Sequence, residues 1–228
     1  MIIAKFIFVV ILGYMLGSIP FGVLISRRQA KVDIMKHGSG KMGTTNVLRT
    51  AGPKAALLVL TGDLLKGVMA VVLTGFILGN DFLVFHSFGV GTLVAQVMAA
   101  LAAIVGHNFS IFLKFKGGRG VATFFGGLAA LCPPAFLLGG EILIVSAGYS
   151  KYASLGSILG TIGVYIVLVP LTIFYKFPVE YLAYALIGSL VIVFMHRDNI
   201  TRLVSGTERK LGQKAEVSLA SSSSKTGI

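Results

Sequence analysis

The chain has 228 residues, of which 55% are hydrophobic and only 12% charged. That balance excludes an ordinary soluble domain and describes an integral membrane protein. Twenty Lys and Arg against eight Asp and Glu give a net charge of +12; the cations cluster in short stretches between long apolar runs, so they mark one membrane face and not a nucleic-acid surface.

The first apolar run, 2–25, is longer than a signal-peptide core. It has only Lys5 near its start and no A-x-A-like site before Arg27, so it reads as a first transmembrane helix. Further spans are expected at 54–79, 83–106, 120–133, 134–149, 154–175 and 179–197. At about 20 residues per crossing, seven is close to what the chain can hold. The stretch 120–149 is interrupted at Pro133-Pro134, and the distribution of cations decides how to count it. Arg27, Arg28, Lys31, Lys36, Lys41 and Arg49 follow the first span, Lys114, Lys116 and Arg119 the third, and Arg197, Arg202, Arg209 and Lys210 the last. Two short spans put all three clusters on one side, whereas one kinked span would send the last cluster outside. The expected fold is therefore an all-α integral membrane protein with seven transmembrane helices, two of them short, the N-terminus outside and the C-terminus cytosolic. Residues 1–210 are expected to form a single membrane domain and 211–228 a disordered Ser-rich cytosolic tail. The lone Cys132 excludes an intramolecular disulfide.

Three stretches on the expected cytosolic face could carry chemistry. The first, "HGSGKMGTTNVLRTAGP" (37–53), combines Gly38, Ser39, Gly40, Thr45, Asn46 and Arg49. Glycines let a ligand approach the backbone, successive N–H groups can cradle an anion, and Arg49 offers a forked contact to phosphate. An ordinary flexible basic loop would have a similar composition. The second, "GHNFSIFLKFKGGRGVATF" (106–124), lacks the G-x-x-x-x-G-K-[ST] pattern of a nucleotide-binding loop. It still sets Gly117, Gly118 and Gly120 among Lys114, Lys116 and Arg119 at the start of a helix, where N–H groups favour an anion. The same cations would also anchor a span at anionic headgroups. His107 reads either as a general base or as a hydrogen-bonded interfacial residue. The third stretch, "FMHRDNITRLVSGTERK" (194–210), offers His196, with Asn199 and Arg202 three apart on one helix face, and Glu208 beyond them. Within the second span, Asp63 and Lys66 stand at i and i+3, where each partly neutralises the other.

Read in order, "GSIPFG" (17–22), "GSGKMGTTNVLRTAG" (38–52), "GDLLKG" (62–67), "GHNFSIFLKFKGGRGVAT" (106–123) and "HRDNITRLVSGTERK" (196–210) resemble the bacterial acyl-phosphate:glycerol-3-phosphate acyltransferases, the PlsY family. The resemblance covers residues 2 to about 210. It implies a seven-helix inner-membrane enzyme, active on the cytosolic side, that moves a fatty acyl chain from acyl phosphate to the 1-hydroxyl of glycerol 3-phosphate. The products are lysophosphatidic acid and phosphate, the first step of phospholipid synthesis, with no coenzyme A, cofactor or metal. The implied partners are the two substrates, the bilayer and an upstream enzyme that forms acyl phosphate, with no nucleic acid. Ser39, Arg49, Arg119, His196 and Asn199 match the family's catalytic positions. Gly38, Gly40, Thr45, Asn46, His107, Lys116, Gly117, Gly118, Gly120 and Lys66 fall at substrate- or phosphate-binding positions, and Asp63 and Glu208 at structural ones. The family usually reads K-G-G-K-G where this chain has Arg119, and G-S-G-N-x-G-A-T-N where it has Lys41 and Thr44.

Two other classes share some of these features. A phosphate or organophosphate transporter would also carry basic loops and intramembrane charges, but would place polar groups at the midplane of broken helices in both halves. A coenzyme-A-dependent acyltransferase of the soluble-facing type carries His-x-x-x-x-Asp, and no histidine here has Asp five residues on.

Overall fold

The computed structural model describes residues 2–85 and 88–213. Helices α1 (Ile2–Ser18) and α2 (Phe21–Ala30) together make a 29-residue apolar segment. The break at Ile19-Pro20 lies inside the stretch expected to be one continuous helix, because proline has no N–H to continue the ladder. α3 (Thr44–Thr50) is a short helix in the first polar stretch, and α4 (Pro53–Leu78) follows with proline in its first turn, where the missing N–H costs nothing.

A small antiparallel hairpin, β1 (Leu83–Phe85) and β2 (Phe88–Val90), comes next, with Leu83 opposite Val90. This corrects the third span, expected as helix from residue 83: α5 begins only at Thr92 and runs to Asn108. Two glycines, Gly89 and Gly91, each disfavour helix by about 1 kcal/mol, and the β-branched and aromatic residues around them suit a pleated ribbon. The stretch 120–149 divides at Cys132 into α6 (Val121–Leu131) and α7 (Pro133–Ser150). α8 (Ala153–Tyr175) and α9 (Val179–Met195) follow, and α10 (Arg197–Val204) leaves α9 at a bend of 62°.

Among the described residues four segments, Ile2–Ala30, Pro53–Leu78, Thr92–Leu113 and Ala153–Tyr175, are long and apolar enough to cross a bilayer, and the bent pair α9–α10, counted as one span, makes a fifth. α6, at about 1.5 Å per residue, is only about 16 Å long. Glu141 is exposed partway along α7, and nothing in the structure explains it. Of the expected tail, Leu211–Gln213 form a turn tied by the Leu211 N–H to the Lys151 carbonyl at 2.7 Å; 214–228 lie outside the described residues.

Small residues let the helices approach closely, as membrane packing requires where lipid is as apolar as any side chain. A Cβ at Gly13 or Gly17 of α1 would collide with the carbonyls of Ala99 or Ala103 of α5. The main core is centred on Phe124, whose ring stacks on Tyr184 with centroids 5.2 Å apart. The Tyr184 hydroxyl is satisfied by donating to the Phe124 carbonyl at 2.8 Å. This contact joins the start of α6 to α9. The loop before α6 and the far end of α9 therefore meet at one end of the bundle, beside α3 and the start of α8.

Candidate active site

The first polar stretch is folded around one side chain. Asn46, on α3, is 2% exposed. Its Oδ1 accepts from the Ser39 N–H at 3.0 Å, and its Nδ2 donates to the carbonyls of Ile34, His37 and Lys41 at 3.0, 3.1 and 2.9 Å. Between them, Gly38 and Gly40 turn the chain at φ 61° and 63°, the left-handed region that favours glycine. The loop thus wraps the Asn46 amide and presents Ser39, while Thr45 and Arg49 project from α3 into the same space.

Ser39, Thr45 and Arg49 form one wall of a cleft of about 380 Å³, counted out to its open mouth. Arg119, from the glycine loop before α6, forms the second wall. The third consists of His196 and Asn199 at the α9–α10 bend, with Arg202 one turn on. The fourth consists of Ser154 and Ser157 at the start of α8, closed by the strap carrying Glu208 and Arg209.

His196 is 2% exposed. Its Nδ1 lies 2.8 Å from the Ile192 carbonyl, which can only accept, so the ring proton sits on Nδ1 and Nε2 is a bare acceptor. Arg119 is drawn down to about 10 by burial, with Arg202 and Arg49 adding to the effect against the opposing pull of Glu208. It remains a cation at pH 7, and among the described residues no protein group accepts a hydrogen bond from its guanidinium. Burial, followed by Arg209, also lowers Arg49.

The strap is held by one carboxylate. Glu208 Oε1 accepts from Asn199 Nδ2 at 2.7 Å and from the Ser154 hydroxyl at 2.9 Å, and Oε2 accepts from Arg202 Nε at 2.8 Å. Burial alone would raise its pKa, but these three donors outweigh it and hold the carboxyl below its ordinary value. Arg49 completes the closure by donating to the carbonyls of Arg209 and Lys210 at 3.1 and 3.4 Å. Asn199 and Arg202, expected to share a helix face, are thus joined by one acceptor.

The cleft gathers Ser39, Thr45, Arg49, Arg119, His196, Asn199 and Glu208 from the residues expected on sequence. Gly38, Gly40 and Asn46 shape the loop beneath Ser39. Lys116 is exposed at the rim, and Gly117, Gly118 and Gly120 are buried under it. His107, Lys66 and Asp63 lie deeper, among the helices. Sequence reasoning missed Ser154 and Ser157, and used Arg202 and Arg209 mainly as charge. The i, i+3 pair of serines in "YASLGS" was visible, but serines at a helix start read as caps, and only the folded strap shows that they face the cleft. Four arginines around one carboxylate and a buried imidazole suit dianionic, phosphate-bearing ligands with a hydroxyl to be oriented.

The comparisons agree with this geometry. The family model for glycerol-3-phosphate acyltransferase matches residues 7–206. "Glycerol-3-phosphate acyltransferase 3" of Dehalococcoides mccartyi (strain CBDB1) is 59% identical over 215 residues, covering 94% of this chain and 100% of that one. The glycerol-3-phosphate acyltransferase of Halalkalibacterium halodurans is 42% identical, over 91% of this chain and 96% of its own. Among solved structures, the chain is similar to the crystal structure of PlsY (YgiH), an integral membrane glycerol 3-phosphate acyltransferase, in its glycerol 3-phosphate form. The TM-score is 0.78 at 34% identity, over 91% of this chain and 96% of that one. The four-walled basic cleft is thus set in a chain that belongs to the glycerol-3-phosphate acyltransferase family.

Proposed function

We propose that the protein transfers a fatty acyl group from acyl phosphate to the 1-hydroxyl of sn-glycerol 3-phosphate, releasing lysophosphatidic acid and inorganic phosphate. The observation that carries this reading is the meeting, in one cleft, of four arginines with the unprotonated Nε2 of His196 and the Ser39 hydroxyl. The family supports the acceptor, since related PlsY structures are described in glycerol 3-phosphate and lysophosphatidic acid forms.

Acyl phosphate is a mixed anhydride with a good leaving group, so positioning and charge stabilisation can supply most of the catalysis. Arg119, with its donors unclaimed by any described residue, and Arg49 hold the phosphates. The C1 oxygen of glycerol 3-phosphate attacks the acyl carbon, and the bond from that carbon to the phosphate oxygen breaks. His196 Nε2 accepts a hydrogen bond from the attacking hydroxyl and orients it. In this reading the proton passes to a phosphate oxygen, whose second pKa is about 6. In this reading Asn46, Gly38 and Gly40 shape the first wall, Ser39 and Thr45 hydrogen-bond substrate, and Asn199 and Glu208 hold the strap.

The same reading places the protein in a bacterial inner membrane as seven spans, with the cleft and the C-terminus cytosolic and the N-terminus outside. Its donor would come from an enzyme that transfers an acyl group onto phosphate. No specific observation favours a transporter, and the polar groups of the cleft gather at one end of the bundle. The test is purified protein given palmitoyl phosphate and glycerol 3-phosphate, with palmitoyl-CoA as the parallel donor. Lysophosphatidic acid from the first mixture is expected. Product from the second alone overturns the donor, and product from neither overturns the activity.

A further inference from the structure

Beneath the glycine loop, and outside the cleft, three ionisable side chains meet among the helices. Asp63 and Lys66 come from α4 and His107 from α5, with side chains 2%, 1% and 3% exposed. Lys66 Nζ lies 2.9 Å from Asp63 Oδ1 and donates to the Ile19 carbonyl, at the Pro20 break, at 3.1 Å. His107 Nδ1 lies 3.5 Å from the same Asp63 oxygen. Groups this deep are costly unless paired, and a pair is often replaceable by apolar residues without loss of stability. Their meeting at this depth therefore calls for something that they hold.

What they hold is the loop above. The Gly118 N–H donates to the His107 carbonyl at 3.0 Å. A Cβ at Gly118 would strike the His107 ring, and one at Gly117 would strike the His107 carbonyl. Asn108, 1% exposed, fills the space against Gly120, where a Cβ would come within 2.8 Å of its Oδ1. The backbone on both sides of Arg119 thus rests directly on His107 and Asn108. The side of the His107 ring away from the loop faces Asp63.

We propose that Asp63 and Lys66 are positioning residues for acyl transfer: acting through His107, they fix the Gly117–Gly120 loop and so set the Arg119 guanidinium in the phosphate cleft. Lys66 compensates the Asp63 carboxylate, and the Asp63 oxygen, 3.5 Å from His107 Nδ1, backs the ring on which Gly118 is seated. The inference rests on the reading of Arg119 as a phosphate-binding residue.

The discriminating variant is Asp63→Asn with Lys66→Met, which removes the pair without stranding either charge. His107→Gln, which leaves no buried charge behind, is the second. Each is purified from membranes and checked for its unfolding midpoint. KM for glycerol 3-phosphate and kcat are then measured at saturating palmitoyl phosphate, alone and in an Arg119→Ala background. The expected result is a midpoint near that of the unsubstituted protein with KM raised about tenfold to a hundredfold and kcat changed much less. In the Arg119→Ala background most of that loss should disappear, because residues acting through one group are non-additive. Unchanged constants in either folded variant, or losses that simply multiply with Arg119→Ala, overturn the proposal while leaving the acyltransferase reading intact. Absence of acyl transfer by the unsubstituted protein removes that reading itself.

Discussion

Arg119 is the residue where local chemistry and function meet most directly. Its cation is drawn down to about 10 mainly by burial, so it is fully charged below that value and loses charge as pH rises through it. Arg119→Ala should lower kcat/KM for glycerol 3-phosphate by about 10²–10³-fold, the cost of removing one charge-stabilising donor. Arg119→Lys should remain active at pH 7, since the family usually carries lysine there. Because lysine starts near 10.4 and the same burial lowers it, the alkaline limb of its activity should move to lower pH. His196 makes a second prediction at this scale. If the proton passes to phosphate, the acid limb of kcat lies near the phosphate value of about 6 and is shared by the unsubstituted protein and His196→Gln. An acid limb that vanishes in His196→Gln would identify the imidazole as the base instead.

At the scale of elements, the strap after α10 is tied down by Glu208, whose side chain is 5% exposed and has three donors on two oxygens. A carboxyl held below its ordinary value contributes stability that is present above the unfolded value of about 4.3 and is lost as pH falls through the folded one. Glu208→Gln should therefore cost about 1.5–3 kcal/mol at pH 7, the range for a hydrogen-bonded charged group. It should also flatten the fall in unfolding midpoint as pH drops below about 4.3, which melting in detergent from about pH 5.5 to about pH 3 would measure. An unchanged midpoint at pH 7 would leave the strap held by Arg49 and the Leu211 turn alone. The helices themselves were legible to within a few residues wherever an apolar run ended at a Pro or a charged stretch, as at Pro53, Ala153 and Val179. The exceptions have local causes. Pro20 broke a run that hydropathy joins, and Gly89 with Gly91 turned a hydrophobic run into a hairpin that window-averaged hydropathy does not distinguish from a helix start.

For the molecule as a whole, the proposed orientation follows from three basic stretches on one side. A cysteine introduced at Lys36, which is exposed, should react with an impermeant maleimide only from the cytosolic side, and one at Phe82, 59% exposed, only from outside. Native Cys132, 2% exposed, should stay silent. Labelling of both positions from the same side would overturn the topology. The sequence by itself determined the membrane class, the apolar helices and the polar stretches that build the cleft, because hydropathy and local motifs are properties of adjacent residues. Only the tertiary structure decided that Asn46 shapes a loop, that Ser154 faces the strap, and that His107, Lys66 and Asp63 form a network under the glycine loop. Asn46 bonds within its own loop, 5 to 12 positions away, but the contacts of Ser154 with Glu208 and of Lys66 with the Ile19 carbonyl join residues 54 and 47 positions apart, and such pairings are set by helix packing, which no local pattern encodes.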